Sequence, residues 1–175
     1  MNNHNTNTNK SSSAISSSES KTKKKIARKV IFYAAYGSNL SITQMASRCP
    51  DSKIVGTGKI PNYKLVFRYH ADIEPCEGSY VPVLIWKISE ADEKRLDRYE
   101  GVKGGYYHQE TVSVFMEGQD GEKKAMAYIM NKQDNVSPPD DHYYQIIAEG
   151  YERFGFDKEI LAQTLREAMG NTQKA

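Results

Sequence analysis

Two cysteines and four histidines are all the thiol and imidazole ligands, and all the disulfide partners, that this 175-residue sequence offers. Cys49 and Cys76 stand in RCP and PCE, with no C-x-x-C spacing and no His pair nearby. That pattern supports neither a zinc site nor a staple, and it reads as two reduced thiols in a cytoplasmic protein. His4, His70, His108 and His142 have no ligand spacing either, so no metal and no cofactor are expected. No run reaches the roughly 18 apolar residues of a membrane span. VIFYAAY, behind the lysines, is too short and begins too far in, at Val30, for a secretion signal. The phosphate-cradling G-x-x-x-x-G-K-[ST] is missing, and Ser38 lacks the G-x-S-x-G elbow of a serine hydrolase.

What is present suits one globular domain behind a different kind of segment. The chain is 38% hydrophobic and 26% charged. Residues 1–20 are mostly Asn, Thr and Ser, too polar to offset the entropy of ordering, and KTKKKIARK follows them. Residues 1–29 are therefore expected to be a disordered, then basic, arm, and residues 30–170 the folded domain. Up to Val30, seven Lys or Arg against Glu19 give +6, so a total of +2 leaves −4 for the remainder. The domain is no basic nucleic-acid reader. The arm is read as a solvated tail in preference to a contact for phosphates or anionic lipid.

From Val30 the pattern alternates. VIFYAAY reads as a buried strand, and Ser41 caps a short helix over residues 42–47 that ends at Cys49-Pro50. SKIVGTGKI and YKLVFRY read as two strands punctuated by Pro61-Asn62, and residues 70–80 as an exposed polar loop. VPVLIWKI is a strand. Ser89 to Asp92 then resembles a capping box for a helix to about Tyr99. Residues 107–116 and 123–130 flank the hairpin residues EGQDGE. Helices are expected over 141–153 and 157–169, the second capped by Asp157. Antiparallel connections predominate, which makes the fold α+β with a mixed, mostly antiparallel sheet curling toward a barrel.

Three stretches carry candidate chemistry: YGSN, LDRYEGV and PPDDHYY. Gly37 to Asn39 fit a strand-end turn, Glu100-Gly101 a helix C-terminus with glycine in the left-handed position, and Tyr143 and Tyr144 a helix surface. Glu100 is the odd residue among them. A carboxylate at a helix C-terminus faces the negative end of the macrodipole, at a cost of a few tenths to about 1 kcal/mol. Such placement, like burial, raises its pKa, which is useful in a general base.

YGSNL (36–40) after the first strand, LDRYEGV (96–102) continued by KGGYY, and SPPDDHYYQII (137–147) together resemble the gamma-glutamylcyclotransferases. The resemblance runs from about Val30 to about Phe156. It implies a small, partly closed β-barrel with flanking helices and a cavity at one end. It also implies a small-molecule γ-glutamyl substrate whose α-amine attacks its own γ-carbonyl, giving 5-oxoproline and a free amine without metal or cofactor. Glu100 resembles the family's general acid/base. Tyr36, Gly37, Ser38, Asn39 and Leu40 correspond to its substrate loop, where backbone N–H groups would face a carboxylate or oxyanion. Tyr107 and Tyr143 would shape and reach the substrate, although a one-residue slip would exchange Tyr143 for Tyr144. Glutathione-specific relatives carry another residue after YGS, so Asn39 argues against that branch. Acceptor selectivity is expected in residues 70–80. A non-catalytic binding or regulatory protein on the same fold is the alternative, and oligomeric state has no signature in the sequence.

Overall fold

The apolar run behind the basic segment is a strand, β1 (Ile31–Ala35), buried at four of its five positions. It belongs to a computed structural model that describes Met1 and residues 29–132 and 135–172. The expected disordered arm therefore lies outside the described residues, apart from Met1 and Lys29. Four further strands follow: β2 (Lys53–Arg68), β3 (His70–Ile88), β4 (Tyr107–Met116) and β5 (Glu122–Met130). They close into a barrel in the order β1-β3-β2-β4-β5. Every pairing is antiparallel except the seam, where β1 and β5 run parallel with Tyr33 opposite Met126. The architecture is the mixed, mostly antiparallel α+β barrel that the sequence pattern indicates.

Two local expectations are corrected. Pro61-Asn62 does not divide two strands. It is an irregularity inside β2, where the register against β3 shifts between Pro61 and Tyr63 and Asn62 adopts φ 58°. Residues 70–80 are not a loop but the first half of β3, reached by a reversal at Tyr69, φ 66°, that pairs Arg68 with His70. Their polarity disguised the strand because its charges are answered locally. Glu74 lies opposite Lys64, with Nζ 3.0 Å from Oε1, and also meets the Arg68 guanidinium at 2.5 Å. Ala71, Asp72 and Ile73 are buried.

Four helices flank the barrel: α1 (Ile42–Arg48), α2 (Glu90–Tyr99), α3 (Asp141–Phe154) and α4 (Lys158–Thr172). Each begins where a side chain can satisfy its free amides. Ser41 accepts from the Gln44 amide, Ser89 and Asp92 form a reciprocal capping box, Asp140 accepts from Tyr143, and Asp157 from Glu159. No helix among the described residues is long and apolar enough to cross a membrane.

The turn after β1 is clamped under α3. A Cβ added at Gly150 would lie 2.6 Å from the Cβ of fully buried Leu40, a contact that no rotamer of Leu40 relieves. Gly150→Val is therefore expected to destabilise the protein by about 2–3 kcal/mol through overpacking. A denaturant midpoint unchanged from wild type would refute this.

Candidate active site

Beyond Ala35 the chain leaves the sheet at Tyr36 and Gly37 and turns through a short 3-10 segment, Ser38–Leu40. The Leu40 amide donates to the Gly37 carbonyl at 3.0 Å, and Trp86 Nε1 on β3 donates to the Asn39 carbonyl at 3.1 Å. The turn is thus held from below by its own backbone and by the barrel. Its exposed side meets the end of α2, where Glu100 is the C-cap and Gly101 takes the left-handed conformation at φ 64°.

Asn39 joins the two. Its Nδ2 donates to Glu100 Oε1 at 3.0 Å and to the Tyr33 hydroxyl at 2.8 Å. Its Oδ1 accepts from Arg48 Nη1 at 2.6 Å, and the same nitrogen donates to Ser38 Oγ at 3.2 Å. Arg48, in the last turn of α1, lays its guanidinium over the Tyr99 ring, 3.6 Å from the centroid. One arginine therefore braces the turn, through Ser38 and Asn39, against the helix that ends in Glu100.

Two tyrosines complete the enclosure, both fastened to the backbone of one β3 residue, Ala71. The Tyr107 hydroxyl donates to the Ala71 carbonyl at 3.0 Å, and the Ala71 amide donates to the Tyr143 hydroxyl at 3.2 Å. Tyr36 turns inward, and its hydroxyl donates to the Tyr128 carbonyl. The result is a cleft of about 460 Å³ rimmed by His70, Arg98, Tyr99 and Tyr106, with Ser38, Glu100, Tyr107 and Tyr143 deeper in. Behind it lies a polar chamber of about 30 Å³ that Tyr36, Gly37 and Asn39 help to line. Size does not single out this cleft, since grooves of about 410 and 440 Å³ lie elsewhere on the surface. The convergence of a largely buried carboxyl with tyrosine hydroxyls does.

Burial pushes the Glu100 carboxyl up to about 7, while the Arg48 charge and the Asn39 hydrogen bond pull it down. Desolvation, more than the helix dipole, is the leading cause. Burial likewise raises Tyr143 to about 12 and Tyr107 well above its ordinary value, so both phenols keep their protons at neutral pH.

The profile of the AIG2-like family matches residues 80–161. The chain is 29% identical over 140 residues to a gamma-glutamylcyclotransferase of Bos taurus, covering 73% of each. With that of Mus musculus it shares 26% identity over 144 residues, 75% of each. A solved gamma-glutamyl cyclotransferase superposes with a TM-score of 0.70 at 26% identity, over 78% of this chain and 86% of that one. The chain is similar in sequence and in fold to gamma-glutamylcyclotransferases.

Within this gamma-glutamylcyclotransferase-like fold, Tyr36, Gly37, Ser38, Asn39, Glu100, Tyr107 and Tyr143 all border the cleft or its inner chamber. Leu40 does not. It is fully buried against Gly150 and anchors the turn, which corrects its place among the substrate-binding residues. Tyr143 has its hydroxyl at the cleft, whereas the Tyr144 ring packs toward Phe67, with centroids 6.2 Å apart. The Ser38 amide, one of the backbone N–H groups of the loop, is directed at the Tyr143 oxygen. Sequence reasoning missed Arg48, Tyr33 and Ala71. Arg48 had only its place in the last turn of the helix after YGSNL as a signal, and Ala71 acts through its backbone and had none.

Proposed function

We propose that the protein is an intramolecular acyl-transfer enzyme that cyclises γ-glutamyl amino acids or amines to 5-oxoproline and releases the free amine. One observation carries this reading: Glu100, largely buried and hydrogen-bonded by Asn39, opens onto a cleft large enough for a small molecule. At neutral pH the substrate's α-amine is an ammonium and cannot attack. A carboxylate whose pKa lies near 7 is suited to removing that proton and returning it.

The amine nitrogen then bonds to the γ-carbonyl carbon, and the bond from that carbon to the departing nitrogen breaks. The ammonium gives up two protons in all, and the leaving nitrogen gains two, so the reaction releases no net proton at neutral pH. Glu100 passes them one at a time. Because nucleophile and electrophile share one molecule, folding the substrate into a near-attack shape supplies much of the rate.

The test is 5-oxoproline release from a panel of γ-glutamyl amino acids, γ-glutamyl-lysine and glutathione. Release from the first two classes in preference to glutathione is expected, in keeping with Asn39 after YGS. If no compound is turned over yet 5-oxoproline binds by calorimetry, the enzyme reading fails and a binding protein replaces it.

A further inference from the structure

We infer that the backbone N–H and C=O of Ala71 fix the hydrogen-bonding polarity of the two tyrosines beside Glu100, so that Tyr107 offers an acceptor to the substrate's α-ammonium and Tyr143 a donor to its γ-carbonyl oxygen. The inference rests on the proposed γ-glutamyl substrate and specifies how that substrate is oriented.

A phenolic hydroxyl has one proton to give and an oxygen that can accept. The Tyr107 proton is committed to the Ala71 carbonyl at 3.0 Å. What Tyr107 has left for the cleft is its oxygen, an acceptor, which suits an ammonium and repels a carbonyl. Tyr143 is the reverse. Its oxygen already accepts from the Ala71 amide at 3.2 Å, and the Ser38 amide is directed at it as well. What Tyr143 has left is its O–H. Gly37 keeps this approach open, since a Cβ there would stand 3.2 Å from the Tyr143 hydroxyl and 3.3 Å from the Ala71 Cβ.

The backbone around Ala71 that imposes this polarity is itself held. Ala71 is 3% exposed, and the next residue, Asp72, is fully buried with Oδ1 accepting from the Met130 amide at 3.0 Å. Arg68 Nε stands 3.9 Å from Asp72 Oδ2, which fixes the start of β3 to the end of β2. Neither tyrosine can change its role without turning over a peptide group on one side or the other of Ala71 inside the barrel wall. An ammonium beside Tyr107 shares the chamber with Glu100, where its proton must go, and a carbonyl beside Tyr143 meets a donor as negative charge develops on its oxygen.

The experiment compares two ligands by calorimetry in the Glu100→Gln protein, which prevents turnover: γ-glutamyl methylamide, and glutaric acid monomethylamide, which lacks only the α-amine. Tyr107→Phe is expected to weaken the first by about tenfold or more, the loss of a hydrogen bond to a charged group. It should leave the second within about twofold of its parent. Tyr143→Phe is expected to weaken both alike and, with Glu100 intact, to lower kcat by about 10²-fold. Both substitutions keep the ring, and melting temperature and near-UV circular dichroism check that the barrel is retained. Should Tyr107→Phe weaken both ligands equally, or Tyr143→Phe weaken only the amine-bearing one, the polarity is overturned while the substrate class stands. If the parent protein binds neither compound, the substrate class falls and takes the inference with it.

Discussion

With Glu100 as the proposed general base, Glu100→Gln is expected to lower kcat for 5-oxoproline release by about 10²–10⁴-fold, the usual worth of such a group. Glutamine fills the same space and can still accept from Asn39 Nδ2, so the turn and the C-terminus of α2 keep their geometry and ligand binding survives. Only the proton acceptor is gone. The wild-type rate should rise with pH through about 7 as Glu100 ionises, and the variant should lack that limb.

The same substitution has a signature in stability. In the unfolded chain Glu100 titrates near 4.5 and in the folded one near 7, so the folded state holds its proton more tightly. The stabilisation from that proton is complete below 4.5 and is lost as pH rises through 7. The forfeit is on the order of 3 kcal/mol, from about 1.4 kcal/mol per pH unit. Glutamine never ionises and forfeits nothing. The melting temperature of Glu100→Gln should thus match wild type near pH 4 and exceed it increasingly toward pH 8. An equal gap at both pH values, or activity within tenfold of wild type, would sink the assignment.

Arg48→Met is expected to move the acid limb of the pH–rate profile upward and to lower activity at pH 7 by about an order of magnitude or more. Glu100 is faced by Arg48 from α1, by Asn39 from the turn, and by the neutral phenols of Tyr33, Tyr107 and Tyr143. Among these, Arg48 is the cation that favours the ionised carboxyl, and burial opposes it. Without that charge the base spends more of its time protonated at neutral pH. Methionine also releases Asn39 Oδ1 and Ser38 Oγ, so the brace between turn and helix is lost and the shortfall persists in part at high pH. Arg48→Lys keeps the charge but not the planar fork that reaches Ser38 and Asn39 while lying over Tyr99. It should preserve the limb better than it preserves kcat. An unmoved limb in Arg48→Met would mean that the guanidinium acts by geometry alone.

Much of this site could be read from local sequence because local rules built it. Glu100-Gly101 is a helix end, Ser89 to Asp92 a capping box, and Tyr36 to Asn39 a break in an apolar run, and each leaves a mark within a few residues. Residues 70–80 left no such mark. Their strand character depends on Lys64 and Arg68, across the hairpin, neutralising Glu74, and on a non-glycine residue, Tyr69, taking a left-handed turn. Arg48 and Ala71 were illegible for a related reason. Arginine at a helix C-terminus is unremarkable in itself, and backbone groups that bond two tyrosine hydroxyls carry no side-chain signature. Leu40 misled because its motif neighbours face the cleft while its own side chain points beneath α3.

The seam of the barrel has a consequence for the order in which the protein comes together. The β2–β3 ladder joins sequence neighbours through the reversal at Tyr69, and β4 and β5 form a second hairpin, so most of the sheet assembles from contacts of short range. The parallel meeting of Tyr33 with Met126 must wait for nearly the whole chain. Tyr33 is also the residue whose hydroxyl receives Asn39. A refolding molecule therefore acquires most of its sheet before the turn at Tyr36 to Asn39 is held, and the proposed activity should return with the slow closing phase, after the strands have formed.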